Sequence, residues 1–133
     1  MTLVDTSVWI DFFRGQELPQ VQRLESLLQQ GEDIVICGVI LTEILQGIRD
    51  ERTFNLTRNR LKPLLLLPMT EAIFIQAAVI YRSLRAQGVT VRKPVDCMIA
   101  ATALEHETWL LHNDRDFTAI ARYYPLRLSQ VEH

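Results

Sequence analysis

The chain has 133 residues, 48% of them apolar and 23% charged, with a net charge of −2 at pH 7. That length and balance fit one globular domain spanning residues 1–133 and exclude a disordered or fibrous chain. No apolar run nears the roughly 20 residues needed to cross a bilayer, and Met1-Thr2-Leu3-Val4-Asp5 has no basic segment before an apolar one, so neither a membrane span nor a signal peptide is expected and the cytoplasm is the expected location.

In chain order, Leu3-Val4 reads as a short buried strand, and Val21, Leu24 and Leu28 then mark the apolar stripe of a helix. Ile34-Val35-Ile36 is a second strand and Leu64 to Leu67 a third. Thr70-Glu71 is a helix start, Ile73, Ala77, Ile80 and Leu84 are its buried stripe, and Gly88 is its stop. Pro94 to about His106 is another helix, opened by Pro and propagated by Ala100, Ala101 and Ala103. Trp109-Leu110-Leu111 and Leu126-Arg127-Leu128 complete the strands. Cys37 and Cys97 lie inside apolar stretches and read as core residues, not as a disulfide or a zinc site.

Short buried strands alternating with helices imply an α/β fold, a central mainly parallel sheet covered on both faces. Ligands of such sheets bind at the carboxyl ends of the strands. Asp5 directly follows the first strand, Asp114 follows Trp109-Leu110-Leu111, Glu43 falls early in the helix after Ile34-Val35-Ile36, and Asp96 falls in the first turn after Pro94. Taken singly, each acid is a cap, a dipole partner or a turn residue. Gathered at one sheet edge they repel, and a cation is required to offset the repulsion. Mg²⁺ and Mn²⁺ prefer carboxylate and water oxygens and act with phosphates, which points to phosphodiester hydrolysis. His106, His112 and His133 are scattered and Ser7 has no His–Asp partner pattern, so a serine or zinc hydrolase is poorly supported. A phospho-aspartate phosphatase wants a second Asp where Ser7 stands.

Twelve of the fourteen basic residues are Arg, whose planar fork grips phosphate. Arg49, Arg52, Arg58 and Arg60 are the candidate RNA contacts; a solvated helical face is the ordinary alternative.

Four segments carry a resemblance. Val4-Asp5-Thr6-Ser7-Val8-Trp9-Ile10, Leu41-Thr42-Glu43-Ile44-Leu45-Gln46-Gly47, Pro94-Val95-Asp96-Cys97-Met98-Ile99-Ala100-Ala101 and His112-Asn113-Asp114-Arg115-Asp116-Phe117 resemble, in order and spacing, the PIN-domain nucleases. Within them they are most similar to the VapC toxins of prokaryotic toxin–antitoxin pairs. The resemblance implies a three-layer α/β/α sandwich and a Mg²⁺- or Mn²⁺-dependent endoribonuclease acting on structured RNA, with loops of tRNA or rRNA as substrates. It also implies homodimers or hetero-oligomers with a small cognate antitoxin. It assigns catalysis and metal to Asp5, Glu43, Asp96 and Asp114, a further ligand to Asp116, and orientation of the first acid or of a water to Ser7. Relatives usually carry Thr or Ser where this chain has His112; a buried, hydrogen-bonded substitute is the favoured expectation, and a ring that reaches the metal site is the alternative. The alternative function is a PIN-like module that binds RNA or protein without cutting; the intact acids argue against it.

Overall fold

A computed structural model describes residues 1–131; His133 lies outside the described residues. The elements in order are β1 (Thr2–Val4), α1 (Thr6–Phe13), α2 (Pro19–Gln29), β2 (Ile34–Cys37), α3 (Gly38–Gln46), α4 (Glu51–Leu61), β3 (Leu65–Leu67), α5 (Glu71–Ala86), α6 (Pro94–Glu105), β4 (Trp109–Leu111), α7 (Arg115–Ala121) and β5 (Arg127–Leu128). All strand pairs are parallel, in the order β3-β2-β1-β4-β5.

The chain therefore winds outward from β1 through β2 to β3, crosses back over the sheet, and winds outward again through β4 to β5. Right-handed crossovers in opposite directions put α1–α4 on one face and α5–α7 on the other, the expected three layers. Packing agrees: α1 lies against α2 and α3, and α6 against α5 and α7. Leu3, Val4, Val35, Ile36, Leu110 and Leu111 fill the sheet's centre, buried on both sides, which is why these strands read as unbroken apolar runs.

The switch in winding falls between β1 and β4, which pair Val4 to Leu111. The Asp5 N–H extends that ladder by donating to Leu111 O at 2.9 Å. The two strands thus end side by side, and the loops that follow diverge to opposite faces. That crevice is where open α/β sheets bind ligands.

Two burial expectations are corrected. The α2 stripe uses Leu27 rather than Leu28, which is 42% exposed against 4% for Leu27. The two residues are adjacent, and Leu27 rather than Leu28 lies with Leu24 in the core cluster. β3 is also not a buried strand: it is a sheet edge, Leu64 precedes it, and Leu65 and Leu66 are half exposed. Trp109 is exposed as well, because β4 enters the sheet at its rim. The predicted α5 and α6 stand, with Thr70 accepting from Ile73 N–H and Gly88 at φ +80° just past the C-cap. Cys37 and Cys97 are free and buried.

Candidate metal centre

Each acid is placed by its local structure. Asp5 leaves β1 in extended backbone and caps α1; its Oδ2 accepts from Ser7 N–H at 3.3 Å and from Ser7 Oγ at 2.7 Å. Asp114 caps α7 in the same way, its Oδ1 accepting from Asp116 N–H at 2.9 Å. Asp96 sits in the first turn of α6 behind Pro94. Glu43 stands on α3 and accepts from Thr6 Oγ1 at 2.7 Å. Cap and site are therefore not rival roles, because the caps lie at the strand ends where the site is.

The tightest acidic set among the described residues is Asp96, Asp114 and Asp116, with one oxygen of each within 4.8 Å of the others, all three buried. Asp116, expected as a further ligand, is inside this set, while Asp5 and Glu43 are not. Asp116 is carried inward by the same first turn of α7 that Asp114 caps, and its Oδ2 accepts from Lys93 N–H at 3.1 Å. Asp5 is nevertheless close enough for its charge to act on Asp96. Glu43 lines a neighbouring groove of about 680 Å³ that reaches Val95, beside Asp96.

Burial, then the shared contact with Asp114 and the charges of Asp114 and Asp5, push the Asp96 carboxyl up to about 9. Burial likewise raises Asp5, against the pull of its Ser7 hydrogen bonds. Burial raises Asp114 too, but the Lys93 contact, the Asp116 N–H and the Asp96 contact outweigh it, so its net shift is downward. The two neighbouring carboxyls are thus driven apart, Asp96 up and Asp114 down. Asp96 Oδ2 is buried with no hydrogen-bond partner among the described residues. Such an orphaned oxygen costs free energy until something satisfies it. An all-oxygen donor set with one orphaned oxygen fits a hard divalent cation.

His112 turns its Nδ1 back onto the Asp114 N–H, which donates at 3.0 Å, and packs edge-on to Phe117 with centroids 5.2 Å apart. Burial lowers its pKa, so the ring is neutral and its Nε2 carries the hydrogen. Arg49, Arg52, Arg58 and Arg60 are exposed on and before α4, and none of them forms an ion pair among the described residues. Arg60 lies over the rings of Phe12 and Phe13, 5.4 and 4.9 Å from their centroids, so part of its role is packing.

Three contacts escaped the sequence. Thr6 holds Glu43, and Arg92 and Lys93 stand on Asp114 and Asp116. The Arg-Lys pair just before Pro94-Val95-Asp96 was the available signal for the last two.

A parallel sheet with a buried acidic cluster at its switch point places the chain among the α/β proteins whose ligand site lies at the strand ends. A family model for the PIN domain matches residues 2–123. The chain is 39% identical over 131 residues to Ribonuclease VapC11 of Mycobacterium tuberculosis, covering 97% of this chain and 98% of that one. A chain in the crystal structure of FitAcB from Neisseria gonorrhoeae superposes with a TM-score of 0.76 at 25% identity, covering 98% of this chain and 97% of that one. A chain of a toxin–antitoxin complex from Klebsiella pneumoniae shares the fold, with a TM-score of 0.75 at 22% identity over 96% of this chain and all of that one. The chain belongs to the PIN-domain family, with the VapC ribonucleases.

Proposed function

We propose that residues 1–133 form one domain, a Mg²⁺- or Mn²⁺-dependent endoribonuclease that cuts structured RNA, with tRNA or rRNA loops as substrates. In this reading it is the cytoplasmic toxin of a toxin–antitoxin pair. The observation that carries the chemistry is the buried group of Asp96, Asp114 and Asp116 with the unpartnered Asp96 Oδ2. The VapC11 relative supports RNA as substrate, and the Klebsiella complex supports a protein partner for this fold. No helix among the described residues is long and apolar enough to cross a membrane.

Asp5, Glu43, Asp96 and Asp114 are the proposed catalytic carboxylates, with Asp116 as a further ligand. A bound divalent cation supplies charge neutralisation at the scissile phosphate and lowers the pKa of the attacking water. The chain does the rest. Ser7 fixes which oxygen of Asp5 faces the crevice, and Thr6 does the same for Glu43. His112 braces the Asp114 backbone. Asp96, Asp114 and Asp116 would hold the cation, and Asp96 would have to be ionised to serve as a ligand. For the homodimer, the exposed Leu65 and Leu66 on the β3 edge and Phe74, Ile75 and Val79 on α5 offer an apolar face to a second copy.

The test is expression in cells, with RNA ends sequenced for wild type and for Asp96→Asn. New ends confined to a few loops, present only with wild type, are the expected outcome. Binding of the same RNA without new ends would replace the nuclease with the non-cleaving module.

A further inference from the structure

Two cations of the chain's own stand over the carboxylates. Lys93 Nζ is 2.5 Å from Asp114 Oδ2, and Arg92 reaches Asp114 Oδ1 at 3.5 Å and Asp116 Oδ1 at 3.7 Å. Their backbone is fixed. Val91 is buried, the Lys93 N–H donates to Asp116 Oδ2, the Lys93 carbonyl accepts from Asp96 N–H at 2.9 Å, and Pro94 opens α6 immediately. Their charged ends are not fixed: the side chains are 53% and 55% exposed, against 3% for that of Asp114.

The asymmetry matters. With both heads more than half in solvent, either exchanges partners at small cost. The anchored backbone keeps both heads within reach of the same carboxylates whatever they hold. A cation bound at Asp114 competes with Lys93 for the same oxygens. A phosphate drawn to that cation arrives within reach of the displaced ammonium, a compact charge with three donors.

We propose that Lys93, backed by Arg92, is a substrate-positioning residue that changes partner: it neutralises Asp114 before the divalent cation binds, and then takes the RNA phosphate at the cut site. This rests on the metal-centre reading above and adds a residue to it. Two effects of opposite sign follow. Lys93 weakens metal binding when RNA is absent and strengthens RNA binding when metal is present. A residue that only supported the fold would move both in one direction or neither.

The test uses the full chain as wild type, Lys93→Gln and Lys93→Arg. Calorimetry gives the Mn²⁺ dissociation constant without RNA, and tRNA cleavage in saturating Mn²⁺ then gives KM and kcat. Lys93→Gln retains the backbone N–H on Asp116, so its melting temperature should match wild type. It should bind Mn²⁺ about two- to fivefold more tightly, the range of a half-exposed ion pair. Its KM should rise about tenfold, or ~1.4 kcal/mol, with kcat changed less. The salt dependence of its RNA binding should flatten by roughly 0.7–0.9 in slope. Lys93→Arg should hold KM within about threefold, since it keeps the charge. Unchanged or weaker Mn²⁺ binding by Lys93→Gln, or an unchanged KM, would overturn the role of Lys93 alone. Failure of wild type to bind Mn²⁺ would overturn the metal centre, and this proposal with it.

Discussion

The Thr6 hydroxyl donates to Glu43 Oε1 at 2.7 Å and so fastens the first turn of α1 to α3 across the carboxyl ends of β1 and β2. Thr6 is buried, and Glu43 has no other hydrogen-bond donor among the described side chains. Thr6→Val retains shape and removes the donor. A hydrogen bond to a charged group contributes about 1.5–3 kcal/mol, so denaturant midpoints should fall accordingly. Turnover should drop because Glu43 loses its fixed rotamer, and Thr6→Ser should restore both. Stability and turnover unchanged in Thr6→Val would show that Glu43 is positioned by something else.

Stability should oppose function at Asp96. Its folded-state pKa of about 9 lies above the ordinary carboxylate value, so the folded chain holds a proton the unfolded chain has lost. The term stabilises fully below about pH 4 and is lost as pH rises toward 9. Asp5 contributes with the same sign. Asp114, shifted down, is ionised in both states at neutral pH and adds no slope there. His112, also shifted down, adds slope of the opposite sign only below about pH 6.5, and unfolded thiols titrate above about 8. Between pH 7 and 8 the melting temperature in chelator should therefore fall, and less so for Asp96→Asn. That variant should melt at or above wild type in chelator, because it need not take up a proton on folding. Mn²⁺ at a hundred times its dissociation constant should stabilise wild type by about 2.7 kcal/mol and the variant by much less. Asp96→Asn melting well below wild type in chelator would mean that Asp96 serves the helix start.

Among the described residues His112 bonds only the Asp114 N–H and packs on Phe117, so imidazole is filling a structural place. His112→Thr should retain turnover. A loss beyond about a hundredfold, roughly 2.7 kcal/mol of barrier, would assign the ring a part in the reaction.

Arg49, Arg52 and Arg58 are exposed and without ion pairs among the described residues, which leaves them available for phosphates. Neutralising two of them should flatten the salt dependence of RNA binding by about 1.4–1.8 in slope. An unchanged slope would return them to an ordinary solvated face. Arg60→Gln should also lower stability through the loss of its contact with Phe12 and Phe13.

What the sequence carried, and what it withheld, has a physical pattern. Short apolar runs bounded by helix signals placed the five described strands, and the central β1, β2 and β4 read most plainly because their buried faces leave little polar alternation. The strand-end rule brought Asp5, Glu43, Asp96 and Asp114 to one edge. It could not rank them, since which oxygens meet within 4.8 Å depends on cap geometry, and the first turn of α7 carried Asp116 inward instead. The choice of Leu27 over Leu28 depends on where a neighbouring helix lies, which no local period encodes. Lys93 was hidden because a lysine beside an acidic site reads as solvent-facing until its ammonium is seen on Asp114.

The most direct test is cleavage of a defined tRNA by purified protein in excess chelator, in Mg²⁺ and in Mn²⁺, with Asp96→Asn and Asp5→Asn alongside and folding confirmed by melting. Cleavage should require the divalent cation and saturate with it, and each variant should lose at least about a hundredfold in rate, roughly 2.7 kcal/mol, while remaining folded. Cleavage that persists in chelator, or wild-type turnover by Asp96→Asn, would contradict a metal centre built on these carboxylates.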